Sequence, residues 1–228
     1  MTATLENEET TLDSRLNGFL RLTRWREHVP FTIPLTLVGA MMASHLNQVT
    51  VDWRLSAILV ANILAISFAF MINDVEDAPD DAREPRKKAH NVISSEVISR
   101  RTGYGLSLLV ALVAFVLYAS SGWWALIWGA VILVLSYLYS AHPFRLKARP
   151  VVDILSHALM LSGLLVMTGY YAYHPQPGVA WYAISAAILF SAYGQFYNQI
   201  EDYALDKAAG LKNTVVLLGE AQTRVLMY

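Results

Sequence analysis

Cysteine is absent from the 228 residues, which removes disulfide staples and thiolate metal sites from consideration. Charge is scarce as well: 15% of residues are charged, where a soluble domain carries about 25%. The net charge of -1 leaves no overall basic field, so nucleic acid is not an expected partner. No basic stretch leads into a short apolar core and cleavage site, so no cleaved signal peptide is expected, and residues 1–20 read as a polar tail. Walker loops, a Ser-His-Asp set and nucleotide fingerprints are also missing. The six His residues include no i, i+4 pair of the kind that holds a metal on a helix, and read as surface or packing residues.

What the chain does have is a series of long apolar runs, in keeping with a composition that is 55% hydrophobic. A helix needs about 20 mostly apolar residues to cross the hydrocarbon core. The stretches 30–46, 55–72, 104–120, 123–141, 151–173 and 179–198 meet or approach that length, and a further one begins near Thr214. The expected fold is therefore all-α: a multi-pass transmembrane helix bundle with six full spans plus the start of a seventh. Of the 17 Lys and Arg residues, only Arg54 falls on the side opposite the N-terminus. The positive-inside bias then places the N-terminus and the long polar connections on the cytoplasmic side of an integral protein of the cell inner membrane. Arg21, Arg24 and Arg26 read as interfacial anchors, with one of them able to reach the phosphates. Asp153, just inside the fifth span, reads as a helix N-terminal charge favoured by the dipole or as part of a polar mouth.

Two acidic clusters follow directly on apolar runs, on the side predicted to be cytoplasmic. The first is Asn73-Asp74-Val75-Glu76-Asp77-Ala78-Pro79-Asp80-Asp81 and the second is Asn198-Gln199-Ile200-Glu201-Asp202-Tyr203-Ala204-Leu205-Asp206. On a helix, Asp74, Asp77 and Asp81 share one face, as do Asn198, Asp202 and Asp206. Carboxylates at the mouth of an apolar bundle are costly unless cations meet them. Hard oxygen donors in this arrangement suit Mg²⁺, with Mn²⁺ as the second choice, and such ions are commonly completed by substrate phosphates. Lys147, Arg145 and Lys212 are placed to complete a clamp on a diphosphate. The same carboxylates would also serve a membrane cation transporter or metal-binding protein, although the spans carry no chain of ionisable groups from side to side.

The motif Asn73-Asp74-x-x-Asp77-x-x-x-Asp81 resembles the first aspartate-rich motif of the UbiA superfamily of intramembrane prenyltransferases. Asp202-x-x-x-Asp206-x-x-x-Gly210-x-Lys212-x-Thr214 resembles the second, and the segment from Tyr139 to Lys147 is similar to the family's tyrosine-serine, proline, arginine-leucine-lysine segment. The resemblance covers residues 21–228 as one transmembrane prenyltransferase-like domain. The family fold has about nine membrane helices, so it implies that C-terminal helices are missing here. One departure falls at Lys88-Ala89-His90-Asn91-Val92-Ile93-Ser94-Ser95-Glu96, where the family pattern assigns no role to His90 or Ser94.

The resemblance implies transfer of a prenyl group from a polyprenyl diphosphate to a lipophilic, potentially aromatic, acceptor within the lipid bilayer. Asp74, Asp77, Asp202 and Lys147 would be catalytic. Arg145, Lys147, Lys212, Asn73 and Asn198 would bind the diphosphate. The metal ligands would be Asn73, Asp74, Asp77, Asp81, Asn198, Asp202 and Asp206. An allylic cation needs a dry pocket with π faces. Tyr139, Tyr193 and Tyr197 are the candidates, with Phe68, Phe70, Tyr137 and Phe196 at comparable depth.

Overall fold

The computed structural model describes residues 16–228 except Pro177 and Ala209; residues 1–15, most of the expected tail, lie outside the described residues. Residues 16–22 are helical and Leu22 is fully buried, so packing begins ahead of the first long helix. The main helices are α1 (Trp25–Asn47), α2 (Arg54–Asp81), α3 (Pro85–His90), α4 (Arg100–Ser120) and α5 (Trp123–Ser140). They are followed by α6 (Val152–Tyr171), α7 (Ala180–Glu201), α8 (Tyr203–Ala208), α9 (Thr214–Leu218) and α10 (Glu220–Met227). The described elements are all helical.

Five of these helices, α1, α2, α4, α5 and α6, are long and apolar enough to cross a membrane. The sixth expected span forms as the 22-residue α7, whose Trp, Tyr, Ser and Gln content sets its hydropathy below theirs. The expected seventh is not one rod. Gly219 takes a φ of 86° and breaks the segment into α9 and α10. Leu108, Leu109, Leu112, Phe115 and Val116 on α4, and Leu189 and Phe190 on α7, project outward. That girdle matches lipid rather than water, and this is an integral membrane protein. Trp53, Trp123, Trp124 and Trp181 ring one end of the bundle, as interfacial aromatics do.

Helix α2 is the central rod, packed on α1, α4 and α5, while α6 packs on α1 and α7. The α1–α6 crossing is very close. A Cβ on Gly39 would run into the Val166 carbonyl, and one on Gly169 into the Thr36 carbonyl. Small residues are what allow two membrane helices to approach at backbone distance. A buried uncharged network ties the same helices together. Asn62 Nδ2 donates to Thr36 Oγ1 (2.7 Å), and Asn62 Oδ1 accepts from Tyr118 OH (2.6 Å) and Thr168 Oγ1 (3.0 Å). Each of these polar groups would be costly in the bilayer without its partner.

Two local features shape the mouth of the bundle. Helix α2 continues through Pro79 to Asp81, with Ala82 N bonded to Ala78 O at 3.1 Å, so the first acidic cluster stays helical. Helix α6 contains a π-helical segment at Leu159–Gly163. That extra residue per turn re-aims the side chains around it, and such bulges gather at functional sites.

Candidate active site

The first acidic cluster is folded in among the chain's own cations. Asp74 is 1% exposed, and its Oδ1 lies 2.6 Å from Arg24 Nη2. Arg24, one of the three arginines read as anchors, turns inward. Its backbone has a φ of 48°, which a non-glycine residue rarely adopts, and that turn aims the guanidinium back at α2. Asp77 accepts from Arg145 Nη2 at 3.1 Å and from Lys147 Nζ at closer range. Lys147 also donates to Asn73 Oδ1 (2.8 Å), which Ser140 Oγ holds from α5 (3.0 Å). Burial pushes the Lys147 ammonium below the ordinary lysine range, and Asp77 opposes that shift. Asp81 Oδ2 accepts from the buried Asn91 at 2.8 Å.

Asn91 explains the departure noted after the first motif. Its Nδ2 also reaches the Asp74 carbonyl (2.9 Å), and its Oδ1 accepts from the Ile93 and Ser94 amides. Ser94 Oγ donates to the Ala78 carbonyl at 3.0 Å. Ser94 therefore supports the end of α2, whereas His90 is exposed at the cavity rim near Glu27.

The second cluster is more open. Asn198 and Asp202 are exposed and Asp206 is half-buried. Asp206 Oδ2 accepts from Asn213 Nδ2 at 2.7 Å. Burial, then the neighbouring Asp202, raise the Asp206 carboxyl above its ordinary value, against Lys87, Asn213 and Lys147. The loop behind it is fixed by Asp153, which lies in the first turn of α6, as expected of a helix N-terminal charge, but is fully buried. Its carboxylate accepts from the Thr214 amide (2.7 Å), the Thr214 hydroxyl and Gln199 Nε2 (2.8 Å). Val151, at a φ of 72°, donates its amide to Thr214 Oγ1 at 2.7 Å. A β-branched residue in that region is strained, and here the strain accompanies the clamp on the second cluster.

Both clusters open on the same end of the bundle. Asp77, Asp81 and Asp202 line one cavity of about 750 Å³ with Arg24 and Lys87. Asp77, Asp81, Asp206, Arg145, Lys147, Lys212 and Tyr139 line an adjoining one of about 740 Å³. A third, of about 580 Å³, joins Asn73, Lys147, Asn198, Asp202 and Asp206 to Phe31, Phe70, Tyr139 and His157. Among the described residues no three His, Asp or Glu side chains form a ready-made metal cage. The donor set of Asn73, Asp77, Asp81, Asn198, Asp202 and Asp206 still fits hard divalent ions, with substrate oxygens completing the coordination.

Several site expectations change, beginning with Asp74, a candidate catalytic residue and metal ligand, and Tyr137, neither of which lines any of these cavities. Tyr193 and Tyr197 are exposed and line none of these cavities. The inward face of α7 carries Gln195, Asn198, Gln199 and Asp202. At about 100° per residue the two tyrosines point away from it. Phe68 is buried in the core between α2 and its neighbours and does not face the chamber. Lys87 and Gln199 were not among the sequence candidates. Lys87 lay unmarked in a run of solvated charge, and Gln199 carries no charge to draw attention.

A model of the UbiA prenyltransferase family matches residues 32–228. The chain belongs to that family. A lycopene elongase/hydratase of Haloarcula japonica is 29% identical over 98% of this chain and 73% of its own length. A 4-hydroxybenzoate octaprenyltransferase of Pseudoalteromonas atlantica is 27% identical over 91% of this chain and 71% of its own. A solved UbiA homologue from Archaeoglobus fulgidus, bound to GPP and Mg²⁺, has the same fold with a TM-score of 0.78. It is 23% identical, over 92% of this chain and 72% of that one.

Proposed function

We propose that this UbiA-family prenyltransferase moves a prenyl group from an allylic diphosphate to a long, apolar polyene acceptor, with its polar mouth facing the cytoplasm. The carrying observation is the continuity of two unlike spaces. The carboxylate- and cation-lined chamber shares Phe31, His157, Leu161 and Asn198 with an apolar groove of about 700 Å³ between α1 and α7. A diphosphate suits the first and a hydrocarbon suits the second.

Divalent ions held by Asp77, Asp81, Asp202 and Asp206 would supply Lewis-acid stabilisation of the departing diphosphate. The chain's own residues do the rest. Asp77 keeps Lys147 and Arg145 at the chamber wall, where their donors meet the leaving oxygens as charge develops. Asn73 fixes Lys147 from the other side. Asp74 is withdrawn from the cavity by Arg24, so its role is to orient Arg24 rather than to meet the diphosphate. Tyr139 presents a ring to the same chamber, where cation–π attraction would favour the allylic cation.

The acceptor reading rests on the groove and on the relatives. Pro30, Phe31, Leu35, Val38, Leu161 and Phe190 line it, and no Lys or Arg is among its described lining residues. A polyene such as lycopene needs none, whereas 4-hydroxybenzoate would have a carboxylate to pair. Membranes carrying the chain, supplied with labelled allylic diphosphate, Mg²⁺ and either acceptor, decide between them by mass analysis of products. Prenylated polyene is expected. Product only from 4-hydroxybenzoate would move the acceptor's acid into the polar chamber. Ion flux in liposomes with no diphosphate released would instead favour a cation transporter.

A further inference from the structure

The groove that would hold the acceptor contains one titratable side chain among its described lining residues, His157. Its neighbours are committed elsewhere: Ser156 Oγ donates to the Val152 carbonyl at 2.5 Å, and Ser162 Oγ to the Ala187 carbonyl at 2.8 Å. His157 Nδ1 is sealed from solvent and has no hydrogen-bond partner among the described residues. His28 shares such an orphaned Nδ1, so the contrast between the two residues lies at Nε2. The buried His28 imidazole is fixed by Ser67 (Nε2 to Oγ, 3.1 Å) and stacks on Phe70 at 5.7 Å, as a packing residue should. His157 has only a tilted contact with the Tyr139 ring at 6.2 Å, and it stands where the polar chamber meets the groove. The π-helical segment that starts two residues later presents this turn of α6 to the cavity.

We propose that His157 takes up the proton that leaves the acceptor when the prenyl group is attached. The inference rests on the transfer reaction proposed above. The allylic C1–O bond breaks and its electron pair departs with the diphosphate. The acceptor's π electrons form the new carbon–carbon bond to C1, which leaves a cation on the acceptor. Loss of a proton from the adjacent carbon returns the C–H electron pair to a double bond and gives a neutral product. In the Nδ1–H tautomer, the lone pair of Nε2, the ring nitrogen that is not sealed by the protein, receives that proton and the ring becomes imidazolium. A C–H beside a carbocation is far more acidic than an imidazolium, so a neutral imidazole lone pair suffices to take its proton. The carboxylates line the polar chamber and none of them lines the groove. The rival acceptor of the proton is the departing diphosphate itself.

The test uses the full chain in membranes with an allylic diphosphate, Mg²⁺ and a polyene. Released diphosphate, prenylated product and prenyl-acceptor alcohols are measured separately for wild type, His157→Gln and His157→Ala. With His157→Gln, donor binding without acceptor should stay within about twofold. The deprotonated product should fall by about 10²-fold or more, the usual worth of a positioned base. Released diphosphate should then exceed that product, with water-captured alcohol accounting for the difference, and added imidazole should restore product in His157→Ala. Wild-type yield and product ratio in His157→Gln would assign the proton to diphosphate and overturn the proposal. So would a loss of product matched by an equal loss of donor binding, with no rescue by imidazole, which marks a packing role. Wild-type membranes that release no diphosphate would remove the transfer reading itself, an outcome distinct from a change confined to the variants.

Discussion

The two acidic clusters have similar sequences and opposite environments. The cluster on α2 sits inside the bundle, where Asp74 and Asp77 are held by Arg24, Arg145 and Lys147. The cluster that ends α7 faces the cavity, with Asp202 exposed and Asp206 steadied through a neutral amide. One half of the mouth is thus neutralised by the protein, while the other keeps its negative charge for incoming ions. Removing a charge from the first half should therefore damage both folding and chemistry, and from the second half chemistry alone.

The largest separation is expected between Asp77→Asn and Asp202→Asn. Each should lower diphosphate release by about 10²–10³-fold, as loss of one element of leaving-group stabilisation does. Asp77→Asn also strands the Lys147 ammonium, whose side chain is 12% exposed. Breaking a buried pair in this way costs about 3–5 kcal/mol. Thermal unfolding in detergent should show that loss for Asp77→Asn, and a change within about 0.5 kcal/mol for the exposed Asp202→Asn. Equal melting temperatures would erase the distinction between the two halves.

Thr214→Val probes how the open cluster is held. It deletes the hydroxyl that bridges Val151 N and Asp153 while keeping the side-chain volume. Leaving those buried groups short of a partner costs about 1–3 kcal/mol. The loop carrying Lys212 and Asn213 should loosen, so KM for the diphosphate should rise more than kcat falls. A pure kcat effect would show that the clamp acts on the chemistry rather than on binding.

This clamp also marks where the sequence stopped being readable. Spans could be found because lipid demands long apolar runs, and the acidic stripes because helical spacing puts i, i+3, i+4 and i+7 on one face. Asp153, Thr214 and Gln199 meet across three segments far apart in the chain, and nothing local in their sequence announces the encounter. Which of the three N-terminal arginines turns inward was hidden for a related reason. Interfacial arginines are common, and only the left-handed backbone at Arg24 redirects it toward Asp74. The segment expected to start a seventh span does begin a helix at Thr214, and the apolar run from Val215 to Leu218 gave no sign that Gly219 would halt it.

A smaller effect concerns pH. The Asp206 carboxyl is raised by burial and by Asp202, so between its unfolded and folded values the native state binds more protons than the unfolded chain. Stability contributed by the protonated form is therefore lost as pH rises through that window. Asp206→Asn should be stabilised relative to wild type above the window and equal to it below, as read from melting temperatures. Activity runs the other way: Asp206 must ionise to meet a cation, so wild-type diphosphate release should fall as pH drops through the folded value. A melting difference that is constant with pH would mean that Asp206 is ionised throughout.

The smallest effects should come from the aromatic residues, where the two faces of α7 can be set against α5. Tyr139 lines the chamber, with its hydroxyl accepting from Gln195 at 3.4 Å, while Tyr193 and Tyr197 lie on the outer side of α7. A cation–π contact is worth about 1–2 kcal/mol in a desolvated site, so Tyr139→Leu should slow turnover roughly 5- to 30-fold. Tyr139→Phe keeps the ring and should recover most of that rate. Tyr193→Leu and Tyr197→Leu should stay within about twofold of wild type, because surface substitutions of this kind change little. A loss at Tyr197 matching that at Tyr139, with Tyr139→Phe also impaired, would mean that α7 turns its other face to the reacting prenyl group, and that hydroxyls rather than rings serve the chamber.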